Sequence, residues 1–126
     1  MNASEKLLAV ANSYVDCYNS DDLDTMRTLM SEDVEVTHHN RGVHRVGRNA
    51  VFAGKEGASK TLPDKHFRDR RRIVAVDDVV MIEHTWSGTA AVDMPGFAEA
   101  GESFAIEMCT IMTIHQGQIV KYDDYG

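Results

Sequence analysis

Three polar side chains, those of His38, His84 and Asp124, continue rows of alternating apolar residues in predicted strands. The apolar residues two and four positions before them are Val36 with Val34, Ile82 with Val80, and Tyr122 with Val120. Because alternate residues of a strand point to the same face, all three are expected on the core side of a sheet. A carboxylate beside an imidazole fixes the ring tautomer and stabilises the imidazolium, which suits general acid–base catalysis. We therefore predict a proton-transfer site in which Asp124 and His84 form the acid–base pair.

Other side chains are predicted to complete this site. Tyr14 lies on the apolar stripe of the first predicted helix, where its hydroxyl could donate to a developing oxyanion. His38 and Asn40 would orient a water molecule or a substrate oxygen. The residues expected to contact substrate are Asn40, Trp86, Met108, Thr110, Met112 and Tyr122. The competing interpretation is structural: His84 would be a core histidine bonded to a backbone carbonyl, and Asp124 a solvated residue at the end of a strand.

The six histidines do not have the spacing of a metal site. His38 and His39 are adjacent in a predicted strand and point to opposite faces, and no H-x-H, H-E-x-x-H or paired-cysteine motif occurs. The sequence also lacks a glycine-rich phosphate loop. Cys17 and Cys109 are predicted to be small buried hydrophobic residues rather than nucleophiles. We expect neither a metal nor an organic cofactor.

Length and composition indicate one soluble domain over residues 1–126. Hydrophobic residues make up 43% of the chain, which is enough to form a core. The formal net charge of -7 disfavours nucleic acid and acidic membranes as partners and favours a small molecule. Because the N-terminal residues lack the basic start and long apolar run of a signal peptide, a cytoplasmic location is expected.

The elements that must position these residues follow from periodicity and capping signals. Helices are predicted over 4–19, 21–31 and 50–56, with Ser4 and Asn49 as N-caps of the first and third. Strands are predicted over 34–38, 66–75, 79–91, 102–115 and 118–125, with a loop over 41–47. Since the last four strands are joined mostly by short turns, we expect an α+β fold. Its helices would pack on one face of a curved antiparallel sheet and leave a pocket there.

Four stretches of the sequence form a further pattern: Tyr14–Asp24 (YVDCYNSDDLD), Ser31–Val34, Trp86–Thr89, and Gly117–Val120 followed by Asp124-Tyr125. With the order of elements, they resemble the nuclear transport factor 2 superfamily, and within it the SnoaL-like polyketide cyclases, ketosteroid isomerases and limonene epoxide hydrolases. The resemblance covers nearly the whole chain and concerns the fold rather than one reaction. It implies a cone-shaped curved antiparallel β-sheet wrapped around N-terminal helices. It also implies an apolar pocket, no cofactor and a homodimer formed through the outer sheet face.

The resemblance to the isomerases implies roles for three residues. Tyr14 falls where those enzymes have their oxyanion-stabilising tyrosine. His38 falls where they have the aspartate base, and Thr110 or a neighbouring residue replaces their second oxyanion acid. The chain therefore departs from the isomerases at two of these three positions.

The resemblance to the other two groups points to the end of the chain. Asp124-Tyr125 matches the pair that supplies the base in the epoxide hydrolases, and His38-x-Asn40 resembles the residues that hold their water. The Arg-x-Asp pair of those enzymes falls on His84-x-Trp86, which lacks the acid. The cyclases use an acid in the last strand, and Asp124 is the residue that can supply it here.

Two functional hypotheses follow. The first is a cofactor-independent acid–base enzyme, of isomerase, cyclase, hydratase or hydrolase type, acting on a small hydrophobic molecule. The alternative is a non-catalytic ligand-binding or dimerisation module of the same fold. A homodimer is expected because outward-facing residues mix apolar and acidic side chains that Arg70 or Arg72 could meet. These outward-facing residues are Glu83, Thr85, Ala105, Glu107, Cys109, Ile111 and Thr113.

Overall fold

Three α-helices and six β-strands make up the fold in the computed structural model, which describes all 126 residues. The helices are α1 (Ala3–Ser20), α2 (Leu23–Thr28) and α3 (Arg48–Thr61). The strands are β1 (Met30–His38), β2 (Val43–Val46), β3 (His66–Val76), β4 (Val79–Thr89), β5 (Ser103–His115) and β6 (Gln118–Tyr125). The predicted α+β class is confirmed. None of the helices is long and apolar enough to cross a membrane.

The strands form one curved, open sheet in the order β2-β1-β6-β5-β4-β3. The last four strands form the predicted antiparallel meander. The sheet is not antiparallel throughout, however, because β1 pairs with β6 in parallel. This one parallel register places His38 opposite Asp124. The short edge strand β2 lies in the segment predicted as a loop. That prediction is wrong because four residues are too few to show a recognisable alternation.

The helix boundaries differ from the predicted ones for local reasons. The cap of α1 is Asn2 rather than Ser4, with the Asn2 side chain accepting from the Glu5 amide at 2.8 Å. α2 ends at Thr28 because the chain extends into β1 two residues later. α3 continues past Gly57 to Thr61, since one exposed glycine costs a helix only about 1 kcal/mol. Asn49 does not cap α3; that position is Gly47.

The Asn19 side chain makes two hydrogen bonds that hold the end of α1 against the sheet. The Asn19 amide donates to the Phe67 carbonyl at 3.0 Å and accepts from the Phe67 amide at 2.8 Å. Two residues later, Asp21 adopts a left-handed conformation (φ 54°) and its amide bonds back to Cys17 and Tyr18, which ends the helix. The Asn-Ser-Asp-Asp stretch therefore sets both the end of α1 and its position against β3.

The hydrophobic core lies between the helices and the concave face of the sheet. Val80 and Ile82 of β4, Met112 of β5 and Ile119 of β6 are completely buried. The alternating rows predicted for β1 and β4 do face this core, with Val34 and Val36 of β1 also buried.

Truncation of a core side chain is expected to destabilise the fold strongly. Ile82→Ala removes buried methyl groups and leaves a cavity, so the free energy of unfolding should fall by about 2 to 5 kcal/mol. Chemical denaturation monitored by circular dichroism measures this. Val76→Ala is the control, because Val76 is 60% exposed and its loss should change stability by less than about 0.5 kcal/mol. Equal effects of the two substitutions would contradict this description of the core.

Candidate active site

A cavity of about 600 Å³ opens between the sheet and the helices. Its walls are largely apolar and aromatic, with Tyr18, Phe67, Trp86 and Phe97 among the lining side chains. Phe97 belongs to the segment 94–97 between β4 and β5, which also lines the cavity, and its ring packs 5.9 Å from that of Trp86. A cavity of this size and character suits a small organic molecule.

One imidazole–carboxylate pair stands at this cavity, formed by His38 and Asp124. Nδ1 of His38 lies 2.6 Å from Oδ2 of Asp124, and the Asp124 side chain is only 5% exposed. Both residues line the cavity. They meet because β1 and β6 pair in parallel with these two residues in register. Since the carboxylate accepts the Nδ1 proton, Nε2 of the neutral ring carries the lone pair that can take a proton from a ligand.

The predicted pairing of Asp124 with His84 is wrong. Nε2 of His84 instead lies 2.8 Å from Oγ1 of Thr110, and Phe67 stacks on the ring at 4.1 Å with an interplanar angle of 3°. Because Phe67 lines the cavity and covers the imidazole, His84 does not line it. Burial, followed by the charges of Arg70 and Arg71, lowers the pKa of His84 to about 4. His84 is therefore a neutral core histidine, as the structural alternative has it, although its partner is the Thr110 hydroxyl rather than a backbone carbonyl.

Two of the predicted substrate contacts, Thr110 and Met112, are also buried in the core. Thr110 is fully buried and bonded to His84, and Met112 lies further along β5, also fully buried. Neither lines the cavity, because both face the packed interior behind its wall. The other predicted contacts do line it: Asn40, Trp86, Met108 and Tyr122.

The buried state of His84 should make folding sensitive to acid. The folded-state pKa of about 4 is below the ordinary value of 6.5, so the unfolded chain binds more protons between these values. The contribution of neutral His84 to the free energy of unfolding is therefore fully present above about pH 6.5. It is lost as pH decreases towards 4, by up to about 3 kcal/mol.

The variant His84→Gln should remove that pH dependence. Glutamine can still bond to Thr110 but does not titrate, so the stability of wild type relative to the variant should decrease between pH 7 and pH 4. Urea unfolding at a series of pH values measures the difference. His44→Gln, at a side chain that is 55% exposed, is the matched control. A difference between wild type and His84→Gln that stays constant with pH would contradict a buried neutral imidazole.

A second polar pair at the cavity joins Lys55 of α3 to Tyr14 of α1. Nζ of Lys55 donates to the Tyr14 hydroxyl at 2.8 Å and lies over the Tyr14, Tyr18 and Tyr122 rings at 5.1 to 6.0 Å. Desolvation by the surrounding protein, with the charge of Lys65, lowers the pKa of Lys55 to about 7. Burial raises the pKa of Tyr14 well above its ordinary value, so the phenol stays protonated. The pair can therefore donate hydrogen bonds to the oxygen atom of a ligand in the cavity.

Four cationic residues line the cavity without being indicated by the sequence patterns above. They are Arg41, Arg45, Lys55 and Lys65. A signal for Lys55 exists, because it falls on one helical stripe with Val51, Ala58 and Leu62, all of which line the cavity. The two arginines lie in the segment predicted to be a loop, where no periodicity assigns a direction to a side chain.

A second imidazole–carboxylate pair lies outside the cavity. Nε2 of His39 is 2.8 Å from Oδ1 of Asp123, and the His39 ring stacks on Tyr125 at 4.2 Å. This pair repeats the chemistry of His38 and Asp124 on the opposite side of the same strands. No group of three or more histidine, cysteine, aspartate or glutamate side chains is placed to hold a metal ion.

Comparisons with known proteins agree with this architecture. The family model of the SnoaL-like polyketide cyclases matches residues 8–126. A solved structure of a putative polyketide cyclase from Xanthomonas campestris pv. campestris is 21% identical, with a TM-score of 0.88 over 99% of this chain and 93% of that chain. A putative polyketide cyclase from Pseudomonas putida KT2440 is 23% identical, with a TM-score of 0.84 over 100% of this chain and 92% of that chain.

A third solved structure comes from Catenulispora acidiphila DSM 44928. It is a hypothetical protein with a ketosteroid isomerase-like fold in complex with trimethylamine. It is 20% identical, with a TM-score of 0.77 over 93% of this chain and 84% of that chain. Curated proteins give no match to the sequence. At these identities the solved structures show the shared fold, and the family model shows the relationship. The chain belongs to the SnoaL-like polyketide cyclase family.

Proposed function

We propose that this protein is a cofactor-independent acid–base enzyme that removes a proton from carbon next to a carbonyl group in a small hydrophobic substrate. The observation that carries the proposal is the 2.6 Å contact of His38 with Asp124 in a cavity that also presents Lys55 and Tyr14. A base and a pair of oxygen-directed donors around one apolar cavity are the groups that enolisation needs.

The proposed step begins with the carboxylate of Asp124 holding the proton of His38 Nδ1. Nε2 of His38 then takes the substrate proton, the C–H electron pair forms a carbon–carbon double bond, and the π pair of the carbonyl moves onto its oxygen. Lys55 and Tyr14 donate hydrogen bonds to the enolate as its charge forms. Return of the proton to another carbon would give isomerisation, and attack of the enolate carbon on a second carbonyl of the substrate would give cyclisation. The putative cyclase relatives favour the second outcome.

A non-catalytic binding module is the alternative. The cavity itself and the trimethylamine bound to one solved relative favour it, because a pocket can hold a ligand without acting on it. The two proposals differ in one observable, since only an enzyme exchanges substrate protons with solvent.

Exchange of carbon-bound protons in D₂O tests the proposal without knowledge of the natural substrate. Cyclic and aryl ketones with acidic α-protons are incubated with the protein, and loss of the α-proton signal is followed by nuclear magnetic resonance. We expect enzyme-dependent exchange for at least one compound, retained in His44→Gln, whose side chain is outside the cavity. Binding of these ketones without any exchange above the buffer rate would favour the binding module.

We also propose a homodimer formed through the outer face of the sheet. Ala105 and Glu107 of β5 are exposed there and Ile111 is half-buried. The suggested basic partners are engaged within the chain: Arg72 pairs with Glu83 at 2.7 Å, and Arg70 bonds to Asn12 of α1. Light scattering at micromolar concentration should give twice the monomer mass. A monomer mass would contradict the proposal.

A further inference from the structure

The charge of the cavity is opposite in sign to that of the protein. The chain has a formal net charge of -7, yet the cavity is lined by four basic residues and by one carboxylate, that of Asp124. The basic residues are Arg41, Arg45, Lys55 and Lys65. A concave, partly dehydrated site with an excess of cations focuses positive potential on its interior.

These cations are poorly compensated by the protein itself. No carboxylate pairs with Arg45 or Lys55. The side chain of Lys65 is only 5% exposed and reaches one acid, Asp21, at 3.4 Å. Positive charge without a partner in a buried position costs free energy, which a ligand of opposite charge would offset.

Arg41 is placed to make the direct contact. Its guanidinium carbon lies over the Trp86 ring, 4.6 Å from the ring centre, so the indole covers one side of the group and leaves its edge for a ligand. Nη2 is 3.9 Å from Oδ2 of Asp124, too long for a hydrogen bond. Nη1 is buried and has no hydrogen-bond partner. The Arg41 side chain lines the cavity, and its guanidinium therefore has hydrogen-bonding capacity that the protein does not satisfy.

We propose that the ligand of this cavity carries a carboxylate group, which binds to the free edge of the Arg41 guanidinium within the field of Arg45 and Lys65. A planar carboxylate matches the two-nitrogen edge of a guanidinium, and such charge-assisted bonds are about twice as strong as neutral ones. The inference rests on the proposed function, because it describes the substrate of the same cavity. The substrate class is then a hydrophobic keto acid rather than a neutral ketone.

A matched pair of ligands tests this. Adamantane-1-carboxylate and adamantane-1-carboxamide have the same shape and differ in charge. Trp86 is the only tryptophan, so its fluorescence reports binding in the cavity directly. We expect the carboxylate to bind about tenfold more tightly at low salt, with the advantage decreasing as salt increases.

Three variants locate the effect. Arg41→Met keeps the apolar stem on Trp86 and should bring the two affinities close to each other. Arg45→Met is a second cavity variant and should also reduce the preference for the carboxylate. It keeps the test possible if Arg41→Met does not fold. Arg72→Met removes an arginine whose side chain is 65% exposed on the outer face, and it should leave the preference unchanged. Circular dichroism confirms folding of each variant.

The results distinguish this inference from the proposed function. Equal affinity of wild type for the acid and the amide would overturn it, as would a preference that survives in both cavity variants. Asp124-dependent proton exchange on a neutral ketone, found together with equal affinities, would leave the proposed function standing and remove the carboxylate. Loss of the preference in the cavity variants alone would support the inference.

Discussion

Asp124→Asn is expected to slow proton exchange at least about 100-fold, the usual scale for loss of general-base catalysis. The substitution keeps the shape of the side chain but removes the charge that orients the His38 ring and stabilises its imidazolium. Asparagine can also present its NH₂ group to Nδ1, which favours the other tautomer and places a proton on Nε2. Nuclear magnetic resonance in D₂O gives the rate constants on the best ketone found.

Asp123→Asn is the matched control for that substitution. Asp123 is the adjacent residue, pairs with His39 at 2.8 Å and lies outside the cavity. The variant Asp123→Asn should retain the wild-type exchange rate. Melting temperatures of the two variants should be close to that of wild type, because each change is isosteric. Full activity of Asp124→Asn on a confirmed substrate would leave the binding module as the better account.

Lys55→Met should produce the second large effect, a loss of about 100-fold in exchange, the scale for removing one donor to an oxyanion. Methionine keeps the length and apolar stem of lysine and removes the ammonium proposed to face the substrate oxygen. Tyr14→Phe should cost less, because Lys55 then remains as donor.

The pH profile tests the charge state of Lys55. Its pKa of about 7 means that the ammonium is present below pH 7 and is lost as pH increases. A wild-type rate that depends on the ammonium should therefore fall through about pH 7. This fall should be absent in Lys55→Met, and Lys55→Arg should extend activity to higher pH because arginine stays protonated. Lys60→Met, an exposed position of α3, is the control. An unchanged profile in Lys55→Met would contradict the role.

The strands and their core faces could be predicted because their residues alternate over long stretches. For this reason the predicted row with Val80 and Ile82 faces the core, as do Tyr122 and Asp124 of the last strand. Val120, predicted in the same row, is only half-buried, because a register shift in β6 turns Ile119 into the core instead. The partner of Asp124 could not be predicted in the same way. Alternation assigns a face but not a neighbour, and two histidines, His38 and His84, shared that face.

The partner of Asp124 is determined by a strand pairing that periodicity in the sequence does not reveal. The parallel pairing of β1 with β6 joins residues 86 positions apart in the chain, and it alone brings His38 to Asp124. Phe67, from a third strand, then covers His84 and removes it from the cavity. The β1–β6 pairing and the stacking of Phe67 on His84 are both contacts between residues far apart in the sequence.

The cationic residues were missed for a different reason. Overall composition describes the whole surface, so a net charge of -7 pointed away from an anionic ligand. The local sign of the cavity depends on which few side chains turn inward from α3 and the segment around β2. Lys55 is recognisable in retrospect by its place on an apolar helical stripe, whereas Arg41 is not.

His38 and Asp124 are proposed to act as one unit, and a double-mutant cycle on the exchange rate distinguishes a unit from two independent residues. Four proteins are compared: wild type, His38→Gln, Asp124→Asn and the double variant. If the pair is a unit, each single change removes nearly all of its contribution, and the double variant is no more than a few-fold slower than either single one. Losses that multiply in the double variant would show two independent residues and contradict the account.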